Sequence, residues 1–146
     1  RLWLLDEFWG VRTPADRLAE EIAQRAGDEV VRCDSAEPRM IRQLRDFGVN
    51  AIGVRKGAGS VAGGLRWLQE RAEIAIDPAR CPQAAREFSA YAYPVGAGGA
   101  FLAEFPDRDN HTIDAVRYAM EEVALGRGAH TIARQRDAPR GRSWNR

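Results

Sequence analysis

The chain has 146 residues, 45% of them hydrophobic and 29% charged, values that belong to a folding domain and exclude a disordered or collagen-like chain. A formal net charge of +1 excludes a globally basic nucleic-acid binder, so any electrostatic footprint has to be local. Cys33 and Cys81 stand far apart, with no CxxC and no histidine at zinc spacing, and no apolar run reaches about 18 residues, which argues against a disulfide framework, a structural zinc site and a membrane span.

At this length one domain with one real core is expected. Residues 2–9 have the branched and aromatic content of a strand that Gly10 ends. Thr13 is placed to cap the next helix, Pro14 to start it, and Leu18 and Ile22 with Ala15, Ala19 and Ala26 give it a buried stripe up to Gly27. Residues 29–34 read as a short strand ending on Asp34. Pro38 opens a helix with Met40, Ile41, Leu44 and Phe47 on one face, Gly48 closes it, and 49–54 read as a further strand. That alternation argues for parallel strands covered by helices.

Residues 56–59, Lys-Gly-Ala-Gly, form a basic loop after which Ser60 is placed to cap a helix turning Val61, Leu65 and Leu68 inward. A short strand over 72–76, a helix from Pro82 to Tyr91, a turn over 94–99 and an edge strand over 100–105 follow. Asp109 and Asn110 cap a last helix expected to run to about Leu125. The segment 127–146, with six arginines against one acid, reads as a mobile basic tail after a domain spanning 1–126.

Two positions stand out chemically. A ligand in a parallel α/β sheet meets the carboxyl ends of strands, where Asp34 falls. At ~100° per residue, His111, Asp114, Tyr118 and Glu121 share one face of the last helix, and Ile113, Val116, Met120 and Val123 the other. Two carboxylates distant in sequence suit a pair of hard divalent ions that clamp a phosphodiester. From spacing alone, a turn-capping Asp34 and a solvated surface Asp114 are the more ordinary readings, ahead of a metal site. The glycines at 57 and 59 lack a Walker ending, so Arg55 and Lys56 suit a DNA-backbone contact better than a nucleotide cradle. Trp9 and Trp67 read as core or domain-contact aromatics, and Cys33 as an apolar filler.

The run Asp109-Asn110-His111-Thr112-Ile113-Asp114-Ala115-Val116-Arg117-Tyr118-Ala119 resembles the terminal HxxDAxRYA signature of phage terminase large-subunit nuclease domains. Arg32-Cys33-Asp34-Ser35-Ala36-Glu37-Pro38 is similar to the strand carrying that family's second acid. Residues 56–61, 74–78 and 87–91 follow in the family's order. The resemblance covers most of 2–124. It implies an α/β, RNase H-like mixed sheet flanked by helices, with Mg²⁺ or Mn²⁺ in a two-metal site. Asp34 and Asp114 would be catalytic ligands, His111 a looser ligand or base, and Arg55 and Lys56 DNA contacts.

It also implies an endonuclease cutting concatemeric double-stranded viral DNA during packaging in the host cytoplasm. Its partners would be a portal protein, a terminase small subunit and an N-terminal ATPase domain. The family's first acid lies on a strand upstream of 2–9, and Asp6 and Glu7 do not match it. The fold is therefore expected to be incomplete at its N-terminal strands, and the chain by itself a weak nuclease. A non-catalytic DNA-binding or portal-docking prophage remnant, and another RNase H-like nuclease such as a resolvase, are the competing readings.

Overall fold

The computed structural model describes residues 1–93, 95, 98–100, 105–106 and 108–126. The expected basic tail, most of the expected edge strand over 100–105 and part of the turn over 94–99 lie outside the described residues. In chain order the elements are β1 (Leu2–Leu4), α1 (Ala15–Ala26), β2 (Val31–Cys33), α2 (Pro38–Asp46), β3 (Ala51–Gly53), α3 (Ser60–Gln69), β4 (Ile74–Ile76), α4 (Pro82–Ala90), α5 (His111–Ala119) and α6 (Glu121–Ala124).

The strands form two parallel pairs. β2 pairs with β3 in the register Val31↔Ala51 to Cys33↔Gly53, and β1 pairs with β4 in the register Leu2↔Ile74 to Leu4↔Ile76. Parallel pairing follows from the helix that separates each strand from the next, since a parallel partner needs a crossover. The expected α/β class is therefore present, although no pair among the described residues has the antiparallel member of a mixed sheet.

Each pair has its own apolar cluster. Ala19 of α1, Ile41 and Leu44 of α2, Val49 and Ala51 are buried together, with Leu18, Ile22, Val31, Cys33 and Met40 packed around them. Leu65 and Leu68 of α3 and Ile113 of α5 are buried together, with Leu2, Ile74, Phe88 and Val116 around them. The bridging element is α5, which packs against α3, α4 and β2.

Several sequence expectations are corrected. β1 stops at Leu4, and Glu7 reaches across to α4, where its carboxylate accepts from the backbone N–H groups of Gln83 (2.7 Å) and Ala84 (2.9 Å). Those first-turn donors have no partner within their own helix. Thr13 does not cap α1; Pro14 occupies the capping position, and no side chain bonds to the free N–H groups there. Ser60 is the first residue of α3, and Gly59 (φ 77°) precedes it in the left-handed region.

Phe47 lies beyond the last residue of α2 and is 57% exposed, and Val61 is 49% exposed. Trp9 is also largely exposed. The last helix is interrupted at Met120 (φ −94°, ψ 4°), which ends α5 and starts α6. None of the helices among the described residues is long and apolar enough to cross a membrane.

Candidate functional site

Asp34 is the first residue after β2 and Lys56 the third after β3. Because these strands are parallel and Val54 N–H bonds to the Cys33 carbonyl (3.0 Å), both residues leave the pair at the same end. Lys56, the sole lysine of the sequence, places Nζ 2.5 Å from Asp34 Oδ1. The same oxygen accepts the Ala36 N–H at 2.8 Å, closing the turn that leads into α2. Among the described residues Asp34 Oδ2 meets only the Tyr118 hydroxyl, which donates across 3.5 Å.

The Lys56 ammonium, followed by the Ala36 N–H, holds the Asp34 carboxyl below the usual carboxylate range against the opposing effect of burial. The Asp34 carboxylate reciprocally raises Lys56. Tyr118 is raised, first by burial and then by the charges of Asp114 and Asp34.

Asp114 comes from a different element, the first turn of α5. Its Oδ1 accepts two donors from Arg117, Nε at 3.1 Å and Nη2 at 2.9 Å. Its Oδ2 has no hydrogen-bond partner among the described residues. The charge of Asp114 acts on both Lys56 and Tyr118, the two side chains that contact Asp34. A cavity of about 730 Å³ opens there, walled by Arg55, Lys56, Asp114, Arg117, Tyr118 and Glu121 among others.

In each acid one oxygen is engaged by the chain and the other is free or nearly so. That donor set fits a hard divalent cation, which takes carboxylate oxygens. His111 is the first residue of α5. Its ring packs against Trp9 at 5.8 Å between centroids, and among the described residues no three His, Cys, Asp or Glu side chains gather as they would around a metal. Lys56 contacts Asp34, while the backbone N–H of Arg55 donates to Glu121 Oε1 at 3.1 Å.

Two residues at this site had no role in the sequence reading. Arg117 was only a letter of the signature, although its three-residue spacing from an acid on a helix was a usable signal. Glu87 was only part of a matched stretch; its Oε2 accepts from Thr112 N (2.7 Å) and Thr112 Oγ1 (2.6 Å) at the start of α5. Nothing local marks that pairing, because the partners are 25 residues apart.

The Lys56 contact makes a testable difference. In metal-free protein, Lys56→Met should let the Asp34 carboxyl titrate higher, toward the ordinary value, as read by carbon-13 NMR. A lowered folded-state pKa stabilises the fold above the unfolded value of about 3.9, and that stabilisation is lost as pH falls through the folded value. The stability difference between the two proteins should therefore close at the acid end. An unmoved Asp34 titration would mean that the pair does not form in solution.

Comparison with known proteins places these features in context. The family model described as Terminase RNAseH like domain matches residues 1–122. The chain is 40% identical over 124 residues to the terminase large subunit of Bacillus phage SPP1, across 83% of this chain and 29% of that protein. It is 28% identical over 125 residues to the PBSX phage terminase large subunit of Bacillus subtilis (strain 168), across 85% of this chain and 29% of that protein. It therefore spans 29% of the length of either curated relative.

Among solved structures it matches the g2p (large terminase) nuclease domain from bacteriophage SPP1 with bound Mn. The TM-score is 0.76 and the identity 38%, over 83% of this chain and 70% of that one. The expected RNase H-like fold is borne out by this match.

Proposed function

The chain belongs to the terminase RNase H-like family, and from that premise we propose that it is a divalent-metal-dependent DNA endonuclease cutting concatemeric viral DNA during genome packaging. The observation that carries this reading is Asp114 on the wall of a cavity whose lining residues Lys56 and Tyr118 both contact Asp34, each acid having an oxygen left for a ligand. A relative whose structure was determined with bound Mn supports the choice of Mg²⁺ or Mn²⁺. Such ions supply an activated water and charge stabilisation at the phosphodiester.

The chain's own residues then divide the work. Asp34 and Asp114 hold the ions, and the Tyr118 hydroxyl steadies Asp34 Oδ2. Arg55 and Lys56 lie on the cavity wall where a DNA phosphate would pass. His111 is one turn before Asp114, and we assign it as a further ligand or base; reaching the acids requires its ring to leave Trp9. Residues 1–126 form the nuclease unit and 127–146 a basic tail that strengthens DNA binding. The setting is the host cytoplasm, with a portal protein, a terminase small subunit and an ATPase domain as partners.

A second reading, a DNA-binding or portal-docking module without catalysis, is favoured by one observation: Lys56 neutralises Asp34. Plasmid cleavage with Mn²⁺ or Mg²⁺ separates the two. The protein extended to the length of its curated relatives should nick and linearise duplex DNA, and chelation should abolish this. Binding without metal-dependent cleavage in that longer form would establish the second reading.

A further inference from the structure

Arg117 is an unusual residue to find where it is. It is only 9% exposed, and its guanidinium lies 5.1 Å from the Tyr118 ring centroid. Both Nε and Nη2 point at a single oxygen, Asp114 Oδ1. A guanidinium pairing for stability alone would gain more from a fork, with one donor on each carboxylate oxygen. Here the second oxygen is spared.

The stem of Arg117 reaches this position through a notch in α3. A Cβ built on Gly64 would come within 2.8 Å of Arg117 Cδ and Cγ, whereas one built on the adjacent Gly63 would meet nothing within 4 Å. Neither glycine has a positive φ. The backbone therefore does not require glycine at 64, and in a helix interior glycine is about 1 kcal/mol less favourable than alanine. What Gly64 provides is room for Arg117.

We propose that Gly64 and Arg117 form a positioning device for Asp114: the notch seats the guanidinium, which holds Oδ1 and turns Oδ2 toward the cavity as a metal ligand. The proposal rests on the metal reading of Asp114 given above. In this role Arg117 acts through Asp114. Partners that orient a metal ligand in this way typically contribute about 10–100-fold in affinity.

The test is Mn²⁺ binding, by calorimetry and by the electron spin resonance of bound Mn²⁺, below the melting temperature of every variant. Gly64→Ala and Arg117→Met should each weaken binding about tenfold or more. Arg117→Lys, which keeps the charge but not the planar donors, should recover only part of it. Gly63→Ala should bind as the unsubstituted protein does and melt no lower. In an Asp114→Asn background, Gly64→Ala should have no further effect on affinity, because the two act through one group.

Gly64→Ala binding Mn²⁺ normally, or adding its full effect to that of Asp114→Asn, would reduce Arg117 to a helix-packing residue and overturn the device while leaving the metal assignment intact. If Asp114→Asn itself left Mn²⁺ binding unchanged, the metal assignment would fall and the device with it.

Discussion

Asp34→Asn and Asp114→Asn should each lower Mn²⁺-dependent cleavage, by the protein extended to the length of its curated relatives, by roughly 10²–10³-fold. The size is expected if each carboxylate supports several kcal/mol of charge stabilisation and about 1.4 kcal/mol is a factor of ten. Asparagine is the informative replacement at 34, because its carbonyl can still accept the Ala36 N–H that shapes the turn into α2. The change then removes charge while preserving the turn, and melting temperature and circular dichroism should move little. If both acids hold the ions of one site, as proposed, the double variant should be scarcely worse than either single one. Independent, multiplicative losses would indicate two unrelated sites, and undiminished cleavage by either variant would remove that residue from the mechanism.

How much of this was legible in the sequence depends on the range over which each feature is determined. The crossovers around β2 and β3 were readable because Pro38 at the start of α2 and Gly48 (φ 87°) after it are local signals. The buried stripe of Ile41 and Leu44 is readable from helical spacing for the same reason. Asp34 and Asp114 could be singled out because one ends a strand and the other sits in a recognisable signature. The packing of α5 against β2, on which the proposed joint site depends, is encoded by no spacing.

The caps were misplaced for a related reason. Thr13, Ser60 and Asn110 are good local capping residues, yet at α4 and α5 the free N–H groups are taken by carboxylates from distant elements, Glu7 and Glu87. Tertiary packing decided which acceptor arrived. The pairing of Lys56 with Asp34 was likewise out of reach: a lysine in a glycine loop reads as a solvated charge until the parallel register brings the two strand ends together.

Glu87 links this packing to the site, and its removal should be strongly felt. It is 2% exposed, and its Oε2 accepts both the backbone N–H and the hydroxyl of Thr112, which gives the start of α5 the cap that Asn110 does not provide. A carboxylate at a helix N-terminus also meets the positive end of the helix dipole. Glu87→Ala should therefore destabilise by about 2–4 kcal/mol, from charged hydrogen bonds lost and donors left buried. Part of that loss is offset because Oε1, itself buried without a partner among the described residues, no longer has to be desolvated.

Leu44→Ala, in the cluster around α2, should cost a comparable 3–5 kcal/mol or so by leaving a cavity. The two variants should differ in their effect on the site. Glu87→Ala loosens the turn that carries His111 and Asp114, so Mn²⁺ affinity should fall even at temperatures where the fold is intact. Leu44→Ala should lower the melting temperature and leave affinity alone under the same conditions. Glu87→Gln, which keeps an acceptor but not the charge, should lie between wild type and alanine in both measurements. Equal loss of Mn²⁺ affinity in Glu87→Ala and Leu44→Ala would mean that the site responds to stability in general, and that capping by Glu87 has no special hold on Asp114.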